Sequence, residues 1–561
     1  MKKTTVIILA LFSILFSSNA QNYQWARIMG TVQTEVVASM VVDSFGNIYT
    51  IGNFEGTIDL DPGVGISNLT SEGEYDFFIS KLNAAGNFIW AKRIGGADYD
   101  IGSSIAVDKF GNLHILGHFS GSVDFDPGVG TSNLVNVGAS DAFVLKLDSA
   151  GNFIWVKSMG GISIVTSKSI GLDSAGNVYA SGDYWETADF DPGPDTSNLT
   201  SLGSTDIFIT KLDSAGNFIW AKSMGGGGIQ YINCIAVDAL GNVHTIGGFT
   251  GTIDLDPGGG SADFTSEGIE DFYISKMDES GNYLWGGSFG GMYDDFGTSI
   301  AVDNNGNVYT TGMCAMGADF DPGPEINFVS NSGYDVFILK LSAEGDFVWV
   351  KSIGGYDFDI GYDFAIDDSN NVYTTGSFKG TVDFDPGDLS NTVSNNGGSD
   401  IFILKLDSAG NFVWVKSLGG ASSDYGRFIS ADNAGNVYTA GVFKETVDFD
   451  PGPGTYNLTS TGSNDIFILK LGSASVDIGE HSFENSLRAF PNPTTDALNI
   501  DLGSKYEEVD VLVKNQLGQT IMKKSFVNSN FLELNIPGAV GLYYIEVSMG
   551  AKKGVLKVVK E

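Results

Sequence analysis

Fourteen aspartates fall along the chain in seven pairs: Asp59 and Asp61; Asp124 and Asp126; Asp189 and Asp191; Asp254 and Asp256; Asp319 and Asp321; Asp383 and Asp385; Asp448 and Asp450. Each pair is followed by Pro-Gly. Residues two apart on an extended strand point the same way, so both carboxylates of a pair share one side while the Phe or Leu between them turns inward. Hard oxygen donors in a turn suit calcium, and these fourteen are its candidate ligands, although a calcium loop takes six or more oxygens and one pair supplies few. Paired carboxylates also serve glycosidases. A glycosidase needs two acids in unlike environments, however, and seven equivalent pairs share one environment.

A second acidic set, Asp98, Asp100, Asp294, Asp295, Asp357, Asp359 and Asp424, recurs in only some copies. Asp98, Asp100, Asp357 and Asp359 are candidates for ligand contact. Trp185, the one tryptophan outside a regular series, sits in the run Gly-Asp-Tyr-Trp-Glu, where its ring can stack on a sugar. The histidines, His114, His118, His244 and His481, have no Ser or Cys partner pattern, so no catalytic residue is assigned.

The elements that position these residues follow from repetition. An Asp-x-x-Gly-Asn-x-aromatic turn begins at Asp43, Asp108, Asp173, Asp238, Asp303, Asp367 and Asp432, at steps of 65 residues with one of 64; His takes the aromatic place at 114 and 244, and Asn the glycine place at 370. A period of this length signals a toroid or array. Each unit reads as four strands, for example 104–108, 112–119, 141–148 and 152–157, which is a propeller blade. The third strand is apolar at successive positions, as in 400–406, and must be buried on both faces. Lys81, Lys146, Lys211, Lys276, Lys340, Lys405 and Lys470 lie inside these strands and must snorkel or pair with an Asp of the same blade.

Trp25, Trp90, Trp155, Trp220, Trp285, Trp349 and Trp414 mark the fourth strand. The seventh copy stops at Leu471 without one, and the missing piece stands at residues 23–27. The expected fold is therefore all-β: a seven-bladed β-propeller over 21–475, with the N-terminal strand completing the last blade and removing exposed sheet edges. The turns between strands one and two and between three and four share one face. The longer connections, carrying the acids, share the other. The units "AVDNNGNVYTTG", "DVFILKL" and "GDFVWVKSIGG" resemble the SBBP-type β-propeller repeats of secreted bacterial proteins.

After a linker at 476–486 the repeat ends, and period-two strands over 487–561 predict a small β-sandwich. Pro491-Asn492-Pro493, Leu517-Gly518-Gln519, Gly541-Leu542-Tyr543 and Lys557-Val558-Val559-Lys560 resemble the type A C-terminal sorting domain of the type IX secretion system of Bacteroidetes. That resemblance implies handling by the type IX machinery, removal of the tail, and a product released or attached to the cell surface.

Residues 1–20, with Lys2, Lys3, an apolar run and Ser-Asn-Ala, read as a signal peptide. With +2 from residues 1–20 and +1 from 485–561, the formal −38 puts −41 on the residues between. Such a surface disfavours nucleic acid and anionic membrane and favours cations or cationic partners. Only Cys234 and Cys314 occur, which excludes a disulfide framework and favours two thiols. The reading is a secreted or cell-surface binding or adhesion protein whose ligand is a glycan or an extracellular protein. A polysaccharide-degrading hydrolase or lyase, and a passive scaffold, are the alternatives.

Overall fold

The computed structural model describes residues 21–30, 35–329, 333–473, 487–495, 497–515, 519–549 and 552–560. The expected signal peptide and linker lie outside the described residues. The chain divides into two units, which part after Ser473.

In the first unit β1 (Gln21–Met29) is followed by β2 (Val36–Val42), β3 (Ile48–Phe54), β4 (Thr57–Asp59), β5 (Asn68–Thr70), β6 (Asp76–Leu82) and β7 (Phe88–Ile94). Strands β2, β3, β6 and β7 pair antiparallel in that order. The pattern recurs through the unit, and among the described residues there are seven such four-stranded groups. The last is Tyr425–Ala431, Val437–Phe443, Asp465–Ser473 and β1, so the N-terminal strand does complete the final blade. First strands touch in ring order, and Tyr425–Ala431 meets β2 to close the circle. These are the blades of a β-propeller.

Double-sided burial of the third strand is visible residue by residue. In Asp400–Leu406, Phe402, Leu404 and Leu406 join a core with Val372 and Phe378, whereas Ile401 and Ile403 join another with Val437 and Phe443. Each such side chain contributes about 1.5–3 kcal/mol by leaving water. Both cores reach into a neighbouring blade, the first through Val336 and Ile338 and the second through Val437 and Phe443.

The lysines reach their own blade's aspartate and the next blade together. Lys146, Lys211 and Lys405 Nζ stand 3.7, 4.0 and 3.8 Å from Asp108, Asp173 and Asp367. Lys470 Nζ and Trp25 Nε1 both donate to Ala84 O at 3.3 Å, and Lys211 and Trp220 both donate to Glu279 O. The receiving turn needs glycine: Gly86 has φ +73°, and a Cβ there would lie 2.8 Å from the Trp25 ring. The turn begun by Asp367 has Asn370 in place of glycine, at φ 60°, a conformation asparagine tolerates.

The Asp-x-Asp-Pro-Gly segment, expected as an extended stretch within a longer connection, forms a short hairpin: β4 pairs β5, and Asp59 bridges back to Gly30. In later copies Thr187–Asp189 pairs with Gly160 and Gly161, and Thr252–Asp254 with Gly225 and Gly226, so these hairpins lie across a seam onto the preceding blade. Three-residue strands are too short to show an alternating pattern. Cys234 and Cys314 form no disulfide, and burial pushes both thiols up.

The second unit is one antiparallel sheet of Arg488–Phe490, Ala497–Asn515, Thr520–Asn535, Gly541–Met549 and Lys552–Lys560. Its two longest strands break register between Asp501 and Tyr506, and Thr494 bridges Lys560. The sheet thereby folds over one core that includes Leu498, Ile500, Val511, Leu532, Ile545 and Val558. Asn492 accepts from Val559 N and donates to Lys557 O, tying the Pro-Asn-Pro motif to the basic end. Leu517 and Gly518 lie outside the described residues.

Trp25 fills the closing seam, so Trp25→Ala should lower unfolding free energy by about 3–5 kcal/mol, the usual cost of such a truncation. Denaturant melts should show a smaller loss for Trp25→Phe, and equal stability of Trp25→Ala and wild type would contradict the clasp.

Candidate functional site

Each innermost strand carries one β-bulge near its start. The pairing skips Ala38, Ser103, Lys168, Asn233, Thr298, Tyr362 and Arg427 in turn. A bulge frees a residue from the ladder and re-aims its side chain. None of the seven is buried, although the residues flanking each include buried ones. The first strands form the inner ring, and they start on the face that carries the hairpins. The bulged residues therefore ring the axis there, and no two are the same type.

Several of their contacts run to the next blade, others stay within their own. Ser103 Oγ is 2.8 Å from Ser167 Oγ, Asn233 Nδ2 donates to Gly297 O at 2.8 Å, and Thr298 Oγ1 donates to Gly361 O at 2.7 Å. Lys168 Nζ stands 3.7 Å from Asp183 Oδ2, and the Arg427 guanidinium lies 4.0 Å from the Tyr362 ring and 5.3 Å from Tyr425.

A second variable position backs the ring at the end of each second strand: Asn53, His118, Asp183, Gly248, Met313, Ser377 and Val442. Burial pushes the Asp183 carboxyl up to about 6, against the pull of Lys168 and the Ile232 amide. Burial lowers His118 to about 4, with Lys168 adding to the effect, so its ring is neutral at pH 7 beside Ser167 Oγ at 3.0 Å. The Tyr231 hydroxyl donates to Glu270, whose carboxyl burial raises.

The acids singled out by sequence divide by burial. Asp98 and Asp357 are exposed. Asp100 and Asp359 are fully buried, which corrects their reading as ligand contacts, because the seam takes them away from a surface ligand. Asp359 accepts from Gly355 N and Lys379 N, and Asp100 accepts from Gly96 N. They belong to a series of seam residues, Glu35, Asp100, Val165, Gln230, Asp295, Asp359 and Asp424. Several of these face a buried aspartate that opens the third strand of the preceding blade, such as Asp76 or Asp335.

In the hairpins, the first aspartate of each pair holds the turn's base. Asp59 Oδ1 accepts from Asp61 N and Ser67 N. Asp124, Asp189, Asp254, Asp319, Asp383 and Asp448 likewise accept from the amide two residues on. The second aspartate holds the tip. Asp61 Oδ1 accepts from Gly63 N, Asp126 from Gly128 N, Asp191 from Gly193 N and Asp256 from Gly258 N. Asp321 accepts from Gly323 N, Asp385 from Gly387 N and Asp450 from Gly452 N. Such bonds fix the turn.

The fourteen aspartates expected as calcium ligands thus also hold their own turns. Asp61, Asp126, Asp191, Asp256, Asp321, Asp385 and Asp450 each commit one carboxylate oxygen to a backbone amide. Asp59, Asp124, Asp189, Asp254, Asp319, Asp383 and Asp448 do the same. Among the described residues no three or more His, Cys, Asp or Glu side chains stand together as a metal site. Trp185 is half-buried where the second strand passes into its hairpin, beside Glu186 at φ 58°.

Sequence reasoning passed over the bulge series. Its signal was available: five residues before each Asp of the Gly-Asn turn, the aligned copies read Ala, Ser, Lys, Asn, Thr, Tyr and Arg.

The comparisons agree with this architecture. A β-propeller repeat family matches residues 89–118 and 289–313, and a secretion system C-terminal sorting domain matches 488–561. An uncharacterized WD repeat-containing protein of Acanthamoeba polyphaga mimivirus is 23% identical over 75% of this chain and 36% of its own length. The regulatory protein FlaEY of Caulobacter vibrioides is 25% identical over 44% of this chain and 26% of its own. The chain thus spans about a third or less of these relatives. The tail implies export by the type IX system to the outside or the cell surface. No helix among the described residues is long and apolar enough to cross a membrane.

The seam acids give a pH signature. Burial, with a facing aspartate adding to it, pushes Asp100, Asp295 and Asp359 up to about 7. An unfolded aspartate releases its proton near pH 4, so the folded state holds these protons more tightly. Their contribution is complete below about pH 4 and is lost as pH rises through about 7. The melting midpoint should fall between pH 5 and pH 8. Replacing all three by Asn, for which Gln230 is the natural precedent at another seam, should flatten that slope; an unchanged slope would refute the assignment.

Proposed function

We propose that this chain, one of the SBBP-type β-propeller repeat proteins carrying a type IX sorting tail, is an exported binding or adhesion protein whose ligand, a glycan or an extracellular protein, docks on the hairpin face. One observation carries the reading. The ring repeats its turns, its third strand and its tryptophans, yet its bulged residues are all different and all reach the surface. Repetition builds the ring, and the varied positions supply an asymmetric set of donors, acceptors and aromatic faces of the kind that fixes a ligand's orientation. Around them the acidic surface disfavours anionic partners at long range.

Calcium is a separable part of the proposal, placed on the hairpin aspartates from Asp59 and Asp61 to Asp448 and Asp450. A cation there would take the carboxylate oxygens that the turn amides leave over, with water completing its shell. Residues 1–20 would supply the first export step as a signal peptide.

Glycan arrays and pull-downs with the purified protein should show saturable binding to a glycan or an extracellular protein. Silence in both, with release of sugars from a polysaccharide, would replace binding by catalysis. Calorimetric titration with calcium should give heat and raise the melting midpoint; absence of both removes the cation.

A further inference from the structure

The bulged residues divide the ring into two unlike arcs. Blades two to five contribute Ser103, Lys168, Asn233 and Thr298, a continuous run of hydrogen-bonding side chains. Blades six and seven contribute Tyr362 and Arg427, and the first contributes only Ala38. Round the ring, a polar arc is thus followed by an arc of tyrosine and arginine, and Ala38, the smallest of the seven side chains, separates the two ends.

The polar arc keeps capacity after its internal bonds are made. Asn233 commits one amide hydrogen to Gly297 O, where an asparagine side chain offers two donors and an acceptor. Lys168 is 39% exposed while its partner Asp183 is 7% exposed, so the ammonium is presented and the carboxylate anchors it from behind. The Tyr362 ring is held in place: Arg427 lies 4.0 Å over one of its faces, and the Tyr425 ring meets it edge to face at 74°. A fixed aromatic ring on the same rim as a line of donors and acceptors matches a pyranose, which has an apolar C–H face and a hydroxylated edge.

Charge selects within that class. Both cations of the ring are already matched, Lys168 by Asp183 and Arg427 by tyrosine faces, and the formal charge of −38 repels a sugar acid. A cationic peptide would suit the outer acids but would meet an ammonium and a guanidinium at the axis.

We infer that the axial mouth binds the terminal unit of a neutral saccharide, its ring stacked on Tyr362 and its hydroxyls held by Lys168, Asn233 and Thr298. The inference rests on the binding function proposed above and names its site and ligand class.

The test is calorimetry of the full chain against neutral gluco-, manno- and galacto-oligosaccharides and the matching uronates. Neutral sugars should bind, Tyr362→Ala should weaken binding at least tenfold, and Asn233→Ala and Lys168→Met several-fold each. Ala38→Trp adds bulk at the smallest of the seven side chains without removing a contact and should block binding while the melting midpoint holds. Neutral-sugar binding that survives all four variants overturns the site and leaves the binding function standing. Preference for uronates, or binding of a protein and no sugar, overturns the ligand class. No binding to any sugar or protein overturns this inference and the function beneath it together.

Discussion

A four-stranded sheet has two faces, and in every blade the third strand is apolar on both. Phe402 and Ile403 are neighbours in the chain yet belong to different cores, one on each side of their sheet. No blade can bury that strand alone, so each depends on the next, and closing the circle gives the last blade its neighbour. Closure makes a strand from the beginning of the chain finish the sheet built from the end of the repeats. Trp25 is where the two meet.

Seam packing is reinforced by polar contacts with the same period. Ser39, Ser104 and Ser169 accept from the amides of Ile105, Ile170 and Ile235, each in the next blade, and Asp363 accepts from Ile429 N. Paired Lys and Trp side chains grip one carbonyl further out, and hairpins lay a strand across several seams. Such contacts demand nearly the same residues at every copy. The bulge residues are exempt because they have left the ladder, and that exemption gives them room to differ. Scaffold and candidate site are thus separated by a one-residue irregularity in each inner strand.

The sorting unit is organised by itself. Its long strands share a core of Val, Leu and Ile, and its Pro-Asn-Pro motif is bonded to the basic strand at the other end of its sequence. Two motifs separated by some 65 residues of sequence are adjacent parts of one structural feature.

Much was legible in the chain. The 65-residue beat, the doubly apolar third strand and the tryptophan series determined blades, ring and closure, because burial and turn chemistry are local properties repeated seven times. The tail could be assigned from its motifs. The aspartate pairs were found correctly as pairs, but their use depends on which amides lie in reach. Folding spends Asp59 Oδ1 on two backbone N–H groups and Asp126 Oδ1 on the amide of Gly128. Asp98 and Asp100 look alike in sequence; only the seam decides that Asp98 is exposed and Asp100 is not. The same is true of the axial ring. A bulge is a relation between two strands, so residues as unlike as Ala38, Lys168 and Tyr362 become one site only when pairing skips each of them and the ring brings them to a common axis.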